Sequence, residues 1–302
     1  MLDHALLLFP DFLLIACGFL ICRYTALDRS VWGAAERLVY WLLFPVLLFG
    51  SIVKSPLSVG ATARLGLGGL LVIGSGFVLV TLLRHVPGVD MHRQASGAQI
   101  AFRFNSYVAL ALAERIGGAQ SVAWIALLIA LCVPLCNAGA VWSLARHGGQ
   151  STLREITRNP LIIATVAGLL ANLLGAKFPA PVELTLSRIG SAALPLGLMA
   201  VGAGLQLGGL AGAPKLAAAI LAIRHLVLPA VGLGLGVLLG LPPGQALILA
   251  AFAALPTASS CYVLAARMGG DGPYVAGLVT ASTLLGMLSV PAVLMAFAAL
   301  HG

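Results

Sequence analysis

Two stretches of equal length decide the fold: residues 10–45, PDFLLIACGFLICRYTALDRSVWGAAERLVYWLLFP, and residues 160–195, PLIIATVAGLLANLLGAKFPAPVELTLSRIGSAALP. Each stretch begins and ends with proline and carries a glycine eight residues after its first proline. The counterparts are Pro10 and Pro160, Gly18 and Gly168, and Pro45 and Pro195. The register also returns later in each half, with a slip of two residues, as Arg115-Ile-Gly-Gly118 and Arg267-Met-Gly-Gly270. The repetition predicts that one unit has been duplicated.

Each unit is predicted to hold five membrane-spanning helices, because apolar segments of about 20 residues alternate with short turn clusters. The ten segments cover residues 5–23, 33–53, 65–84, 95–114, 119–145, 160–176, 187–207, 215–240, 245–267 and 273–299. Five is an odd number, so the second unit enters the bilayer inverted relative to the first. Inverted repeats are typical of secondary transporters, which bind substrate near the midplane where the halves meet. The predicted units are residues 1–145 and 160–302, and a cytoplasmic linker at 146–159 joins them.

The composition independently places the chain in lipid. Hydrophobic residues make up 60% of it and charged residues 9%, and the mean hydropathy is +1.06. Such a chain has too little polar surface for a soluble fold. The net charge of +8 does not indicate a nucleic-acid partner, because the Lys and Arg residues are scattered over short loops. Ten of them follow odd-numbered spans and five follow even-numbered spans, which predicts cytoplasmic odd loops and both termini outside.

No cofactor and no metal site are predicted. The five cysteines lie inside apolar runs, where a disulfide framework is not expected. Cys132 and Cys136 are one helical turn apart, but no His or further Cys joins them, so they are interpreted as packing residues. The sequence also contains no ATP-binding motif, which excludes primary active transport by this chain alone.

Polar residues interrupt the fourth and ninth segments at corresponding positions, and the chemistry is predicted there. A mid-membrane arginine such as Arg103 costs at least about 2.5–3.5 kcal/mol unless it faces a cavity or a partner. Pro256 removes a backbone donor and opens the ninth helix. Paired broken helices mark a transporter site, and their N-terminal N–H groups suit a carboxylate. The predicted substrate-binding residues are Arg103, Asn105, Ser106, Tyr107, Pro256, Thr257, Ser259 and Ser260.

Each of these residues also has a structural interpretation. The amide and the hydroxyls are also able to serve as hydrogen-bond partners between helices, but their matching positions in both halves favour the site. Arg103 either faces substrate or pairs with an acid such as Glu114 or with a broken-helix carbonyl. Further candidates for the cavity or for ion coupling are Arg224, His225, Glu114 and Asp11. For Arg224 and His225 the favoured alternative is snorkelling towards the cytoplasmic face, and for Asp11 it is the outer interface. Pro45 and Pro195 are predicted hinges.

The stretches Arg103-Phe-Asn105-Ser-Tyr107 and Pro256-Thr-Ala-Ser-Ser-Cys-Tyr-Val-Leu-Ala-Ala-Arg-Met-Gly-Gly-Asp271 resemble the auxin efflux carrier family in its bacterial branch. That branch includes permeases for malonate and other organic acids and is distantly related to the plant auxin exporters. The resemblance implies a fold like that of bile-acid symporters and sodium/proton antiporters, whose fourth and ninth helices cross as broken helices. It also implies a bacterial inner membrane. The fourth segment lacks the proline of plant members, so its break must either depend on Asn105 and Ser106 or be milder.

The predicted fold is therefore an all-α polytopic membrane protein. The favoured function is secondary active or facilitative transport of a small organic anion, such as malonate or an auxin-like acid, by alternating access. A sodium/proton antiporter is the first alternative, but neither crossing motif contains the acid that it needs. An intramembrane hydrolase, with Ser259 or Ser260 as nucleophile and His225 as base, is a remote alternative, and no enzyme is predicted. Proton coupling, sodium coupling and a homodimer all remain open.

Overall fold

The computed structural model describes residues 2–54, 59–144, 160–205 and 209–301. Within these ranges the ordered elements are helices and no strand occurs, which confirms the all-α class. The predicted linker at 146–159 lies outside the described residues. The division of the chain into two units therefore depends on how the flanking helices pack.

The helices are numbered here in chain order. The first half contains α1 (Leu2–Tyr24), α2 (Arg29–Leu38), α3 (Phe44–Lys54), α4 (Val59–Leu82), α5 (Met91–Gly97), α6 (Gln99–Phe102) and α7 (Ser106–Leu144). The second half contains α8 (Pro160–Leu173), α9 (Ala180–Ser191), α10 (Ala193–Ala203), α11 (Pro214–Ala222), α12 (Leu228–Leu238), α13 (Pro243–Ala254), α14 (Cys261–Arg267) and α15 (Gly272–His301). A kink divides α7 at Gly117 and Gly118, where the backbone is not helical.

The described residues contain six helical stretches that are long and apolar enough to cross a membrane. They are Arg29–Lys54, Thr62–His85, Met91–Leu144, Ala180–Ala203, Pro214–Leu238 and Gly272–Leu300. Phe12–Tyr24 and Pro243–Ala254 are apolar but shorter. These stretches agree with an integral membrane protein. They are fewer than the ten predicted spans partly because a polar break divides a predicted span into two short helices, as in α13 and α14.

Both π-helical turns of the described chain end two residues before a proline. Val39–Leu43 precedes Pro45, and Ile223–Val227 precedes Pro229. A proline has no N–H to donate, and its ring clashes with the carbonyl four residues earlier. The wider π turn accommodates both effects without ending the helix. Pro195 does not follow a π turn; it lies three residues after Ala192, the residue at which α9 ends and α10 begins. Both predicted hinge prolines, Pro45 and Pro195, therefore lie next to an irregularity in their helices.

Two glycine contacts join the halves in equivalent ways. Gly18 of α1 packs directly on the backbone of Met199 in α10, and Gly168 of α8 packs on the side chain of Ile52 and on the Cα of Phe49 in α3. The interval in sequence from Phe49 to Met199 equals the interval from Gly18 to Gly168, so the two contacts occupy corresponding positions in the two predicted repeats. Because apolar side chains gain little by leaving lipid, such close backbone approaches are a main source of helix association in membranes.

Polar contacts connect helix ends at two separate levels. Nη1 of Arg93 donates to the Gly212 carbonyl at 2.9 Å, and its Nε lies 3.1 Å from Oδ2 of Asp271. Nη1 of Arg64 lies 3.3 Å from the carbonyl oxygens of both Leu239 and Gly240. The contacts of Arg64 lie near the start of α4 and join loops that follow even-numbered predicted spans. The contacts of Arg93 lie beyond the end of α4 and join loops that follow odd-numbered predicted spans. The two sets of loops therefore meet at opposite ends of this helix.

Candidate functional site

Two non-helical segments touch at the predicted crossing. Residues 103–105 separate α6 from α7, and residues 255–260 separate α13 from α14. The backbone N–H of Asn105 donates to the carbonyl oxygen of Pro256 at 2.9 Å. Both sequence-predicted interruptions are therefore present, and they are in direct contact.

Asn105 explains why the fourth span breaks without a proline. Its Oδ1 accepts hydrogen bonds from the backbone N–H groups of Tyr107 at 3.0 Å and Val108 at 3.2 Å. This is an N-cap, and Ser106 is the first residue of the helix that it begins. The N–H groups of Tyr107 and Val108 are thus already bound, contrary to the expectation that the first N–H groups of this half-helix face a ligand.

The amide nitrogen of Asn105 is the donor that remains. Asn105 is 2% exposed, and its Nδ2 has no hydrogen-bond partner among the described residues. A buried donor without an acceptor costs about 1–3 kcal/mol. The structure therefore contains a desolvated donor within the crossing, and a bound acceptor would remove that cost.

Arg103 connects the two breaks through side chains. Its Nη2 donates to Oγ of Ser260 at 3.1 Å, and its Nη1 donates to Oε1 of Gln99 at 2.8 Å. Nε2 of Gln99 in turn donates to the Cys261 carbonyl at 3.1 Å. The alternative pairing of Arg103 with Glu114 is wrong, because Glu114 lies further along α7 and is exposed. Arg103 is only partly buried, so it faces accessible space beside the crossing.

The other predicted residues occupy different positions around the breaks. Tyr107 stacks on Phe44 of α3, with ring centroids 4.7 Å apart. Thr257 is fully buried, and its N–H donates to Oγ of Ser282 at 2.9 Å. Ser106 and Ser259 are partly exposed at the ends of the two breaks. Asp11 lies in α1, and its side chain is outside the described part of the structure.

His225 spans the ninth-helix break from the π turn before α12. Its Nε2 lies 2.9 Å from Oγ of Ser282 and its Nδ1 lies 2.9 Å from Oγ of Ser289. Ser282 also accepts the Thr257 N–H, while Ser289 donates to the Ala254 carbonyl at 3.4 Å. The network thus connects backbone groups on both sides of Pro256.

The hydrogen-bond network assigns the proton of His225. Because Ser289 donates to a carbonyl, it accepts from Nδ1–H, and Nε2 accepts the hydroxyl proton of Ser282. A neutral imidazole satisfies every member of this chain. Both ring nitrogens are therefore occupied by Ser282 and Ser289, and the pairing of His225 with Ser259 or Ser260 that a hydrolase requires is wrong.

Arg224 is buried at the crossing, so the expected snorkelling position is wrong. It is 1% exposed, and its Nε donates to the carbonyl oxygen of Leu255 at 2.7 Å. Its Nη1 lies 3.5 Å from the carbonyl oxygen of Ala101. The carbonyl-rich ends of two broken helices lie within reach of this side chain, and they replace the water that a snorkelling arginine would otherwise need.

Three polar residues of this site, Gln99, Ser282 and Ser289, were not among the predicted ones. Ser282 and Ser289 lie on α15, in a segment whose polar residues the prediction passed over. Their position could have been predicted from the nearby hydroxyl residues Thr280, Ser282 and Thr283, because polar residues inside an otherwise apolar span indicate a buried polar site. Gln99 lies one turn before Arg103 and carried the same kind of signal.

An apolar cavity borders the polar crossing. Pro256 contributes to its wall together with Val108, Ala111 and Leu112 of α7. The remaining wall comes from Phe12, Ile15, Leu198, Gly286 and Val290. In the described residues, no group of three or more His, Cys, Asp or Glu side chains is arranged to hold a metal ion. The site therefore combines buried hydrogen-bond donors with an adjoining apolar surface.

Comparison with known families identifies a transporter family. The sequence model of the family described as membrane transport protein matches residues 143–294, about half of the chain. The matched range contains Arg224, His225, the 255–260 break and Ser282. Among curated proteins, no sequence matches this chain.

Proposed function

Because the chain belongs to the membrane transport protein family, which is the auxin efflux carrier family that its motifs resemble, we propose that it is a secondary carrier of a small organic anion. The observation that carries this proposal is the pair of buried, unpartnered donors at the crossing, Nδ2 of Asn105 and Nη2 of Arg224. The motifs that form the two breaks, residues 101–107 and 255–262, contain no Asp or Glu.

A carboxylate is the ligand class that suits such donors. Hydrogen bonds to a charged acceptor are about twice as strong as those between neutral groups, and the low dielectric strengthens them further. A cation would meet the guanidinium groups of Arg103 and Arg224 without any carboxylate to offset them. The charge at the crossing therefore favours an anion and disfavours a cation or an amine.

The cavity beside Pro256 is too small in this structure to hold an organic acid, but its apolar lining borders the polar crossing. Ligand sites usually combine a mostly apolar lining with a few polar groups that fix orientation. Here the polar groups lie on one side and the wall formed by Val108, Ala111 and Leu112 on the other. This lining makes aromatic and alkyl monocarboxylates candidate substrates alongside small dicarboxylates such as malonate.

We further propose that residues 1–145 and 160–302 form two inverted five-span units that work by alternating access. The equivalent contacts Gly18–Met199 and Gly168–Phe49 support a two-fold relation between the units. The contact between the two breaks supports a substrate site where the units meet. Pro45 and Pro195 lie at helix irregularities where small rotations are least hindered, which favours their proposed role as hinges.

The sodium/proton antiporter remains the second candidate, but the charges around the crossing oppose it. Such an exchanger needs a free acid beside the breaks. The described carboxylate nearest to them in this network is Glu36, and it forms an ion pair with Arg29, whose Nη2 also contacts the hydroxyl of Tyr262. The other charged side chains at the breaks are Arg103 and Arg224. Glu114 is exposed beyond the crossing. Both ring nitrogens of His225 are hydrogen-bonded to Ser282 and Ser289, so neither is free to act as the base of a hydrolase. This also favours transport over hydrolysis.

The substrate class can be tested by direct binding. Purified protein in detergent is expected to be stabilised against heat by aromatic monocarboxylates and by malonate-like dicarboxylates, and not by the corresponding amines or by metal cations. Arg103→Gln is expected to weaken carboxylate binding roughly tenfold or more, because a hydrogen bond to a charged group contributes about 1.5–3 kcal/mol. Arg64→Gln, which changes an exposed arginine away from the crossing, is the matched control. Stabilisation by amines alone would contradict the proposal, and unchanged binding to Arg103→Gln would remove only the role of Arg103.

The proposed topology has both termini outside and the 146–159 linker in the cytoplasm of a bacterial cell, as the ten-to-five distribution of Lys and Arg predicts. On a background without the native cysteines, Ala176→Cys is expected to react with an impermeant thiol reagent added to intact cells. Gln150→Cys is expected to react only after the cells are permeabilised. The reverse pattern would invert the topology.

A further inference from the structure

The two breaks leave carbonyl groups without their helical donors. In a continuous helix the N–H of Asn105 would donate to the carbonyl of Ala101, but it donates to Pro256 instead. Leu255 follows the last residue of α13, and its carbonyl likewise lacks a donor from the helix. Buried carbonyl groups need hydrogen-bond partners, so something must replace the two lost donors.

Arg224 supplies both replacements. Its Nε lies 2.7 Å from the Leu255 oxygen, and its Nη1 lies 3.5 Å from the Ala101 oxygen. One guanidinium group, 1% exposed, therefore lies between the carbonyl-bearing ends of the two broken helices. Helix C-termini carry a partial negative charge, so a cation between two of them is favourably placed.

The position of this guanidinium has a functional meaning in carriers with broken helices. In ion-coupled carriers, unwound backbone carbonyls and the C-terminal ends of half-helices coordinate the coupling cation. Here the corresponding carbonyl groups bind a side chain that cannot dissociate. No carboxylate of the described residues forms an ion pair with Arg224, so the carbonyl dipoles are its main compensation.

We propose that Arg224 is a built-in cation that holds the carbonyl ends of α6 and α13 together, in the place that a dissociable coupling ion would take. In this role it is a positioning residue, since its Nε and Nη1 act on the breaks, and only its Nη2 is left as a donor for a ligand. A built-in cation implies that this site binds no sodium during the transport cycle, and this implication rests on the proposed carrier function. A built-in cation also implies that the crossing is unstable without the charge of Arg224. This second implication holds whether or not a carboxylate is transported.

The structural part is tested by thermal unfolding of purified protein without any substrate. Arg224→Lys keeps the charge but reaches fewer carbonyl groups, whereas Arg224→Met keeps much of the length and removes the charge. We expect the melting temperature and the monodisperse yield to fall in the order wild type, Arg224→Lys, Arg224→Met, with a loss on the order of 10 °C for the last. Arg64→Met is the matched control, because Arg64 also binds two carbonyl groups but is exposed, and it is expected to remain close to wild type.

Cation replacement then distinguishes a built-in cation from an ordinary buried side chain. Methylguanidinium at millimolar concentration is expected to raise the melting temperature of Arg224→Ala saturably, and to leave the wild type and Arg64→Met unchanged. Replacing sodium by choline at constant ionic strength is expected not to alter wild-type stability. If Arg224→Ala does not fold, the order of Arg224→Lys and Arg224→Met decides the question through yield alone.

Two results would overturn the proposal. Arg224→Met could be as stable as Arg224→Lys, in which case the charge is not what the carbonyl groups need. Alternatively, the wild type could be stabilised saturably by sodium, in which case a dissociable cation binds as well. Neither result depends on carboxylate binding, so the anion-carrier proposal stands or falls separately on its own ligand tests.

Discussion

Asn105→Asp is expected to reduce carboxylate transport by roughly a thousandfold while leaving the protein folded. Aspartate is as good an N-cap as asparagine, so the hydrogen bonds from the N–H groups of Tyr107 and Val108 persist. The substitution replaces the free Nδ2 donor by a negative charge. Two like charges about 4 Å apart repel by about 4 kcal/mol at an effective dielectric constant of about 20, which corresponds to roughly three orders of magnitude.

Two further substitutions at Asn105 separate the cap from the ligand contact. Asn105→Ser retains a capping oxygen but lacks the amide, and we expect a stable protein whose carboxylate affinity falls roughly tenfold. Asn105→Ala removes both, with a loss of about 1 kcal/mol in the free energy of unfolding in addition to the transport defect. Asn172→Ala, which removes an amide bonded to the Ile52 carbonyl away from the crossing, is the control.

The measurement is the initial rate of carboxylate uptake into proteoliposomes, together with the melting temperature of each variant. If Asn105→Asp transported carboxylates at the wild-type rate, the substrate could not lie near Nδ2. If it unfolded at the temperature of Asn105→Ala, the capping role would be wrong. The two readouts therefore test the site and the cap separately.

Gly202→Ala is expected to prevent stable assembly of the helices, which makes it the second large effect. A Cβ at position 202 in α10 would overlap with the carbonyl oxygen of Ile15 in α1, and one at Gly18 would overlap with the carbonyl oxygen of Met199. Overpacking costs about 1–3 kcal/mol where side chains can adjust, and more where the obstacle is backbone on both sides. The two helices would have to separate along their whole contact.

Gly234→Ala is the matched control, because nothing lies within 4 Å of a Cβ at that position of α12. Alanine is the better helix former by about 1 kcal/mol, so this variant is expected to be at least as stable as the wild type. Detergent-solubilised yield, monodispersity and melting temperature are measured for both variants. A Gly202→Ala protein with wild-type values would show that α1 and α10 can separate slightly without loss, and that the close contact is not needed for stability.

Much of the fold could be predicted from local patterns. The helices, the all-α class and the positions of both breaks follow from apolar periodicity interrupted by polar residues and proline. The spacing from Pro10 to Pro45, repeated from Pro160 to Pro195, predicts which helices of the two proposed units are equivalent. These features depend on residues close together in the chain, where helical geometry relates sequence position directly to structure.

The site could be predicted only in part, because its hydrogen-bond partners are far apart in sequence. Asn105 was predicted as a break and a ligand contact, and its capping role is local. For Arg224 the sequence left the cavity and the membrane surface open and favoured the surface, yet it binds the carbonyl groups of Leu255 and Ala101, which belong to the two breaks. Nothing in the neighbourhood of residue 224 encodes those partners.

Local residues set the points where the backbone leaves the helix, since a proline and a capping asparagine act within one turn. The side chains that replace the lost backbone donors and acceptors depend on how the helices pack. Arg224 binds the carbonyl groups, and His225 acts with Ser282 and Ser289 on the groups that flank Pro256. These side chains belong to helices on either side of the crossing. The physical reason is that helix packing in lipid brings these groups together, and a buried polar group binds whatever partner the packing supplies.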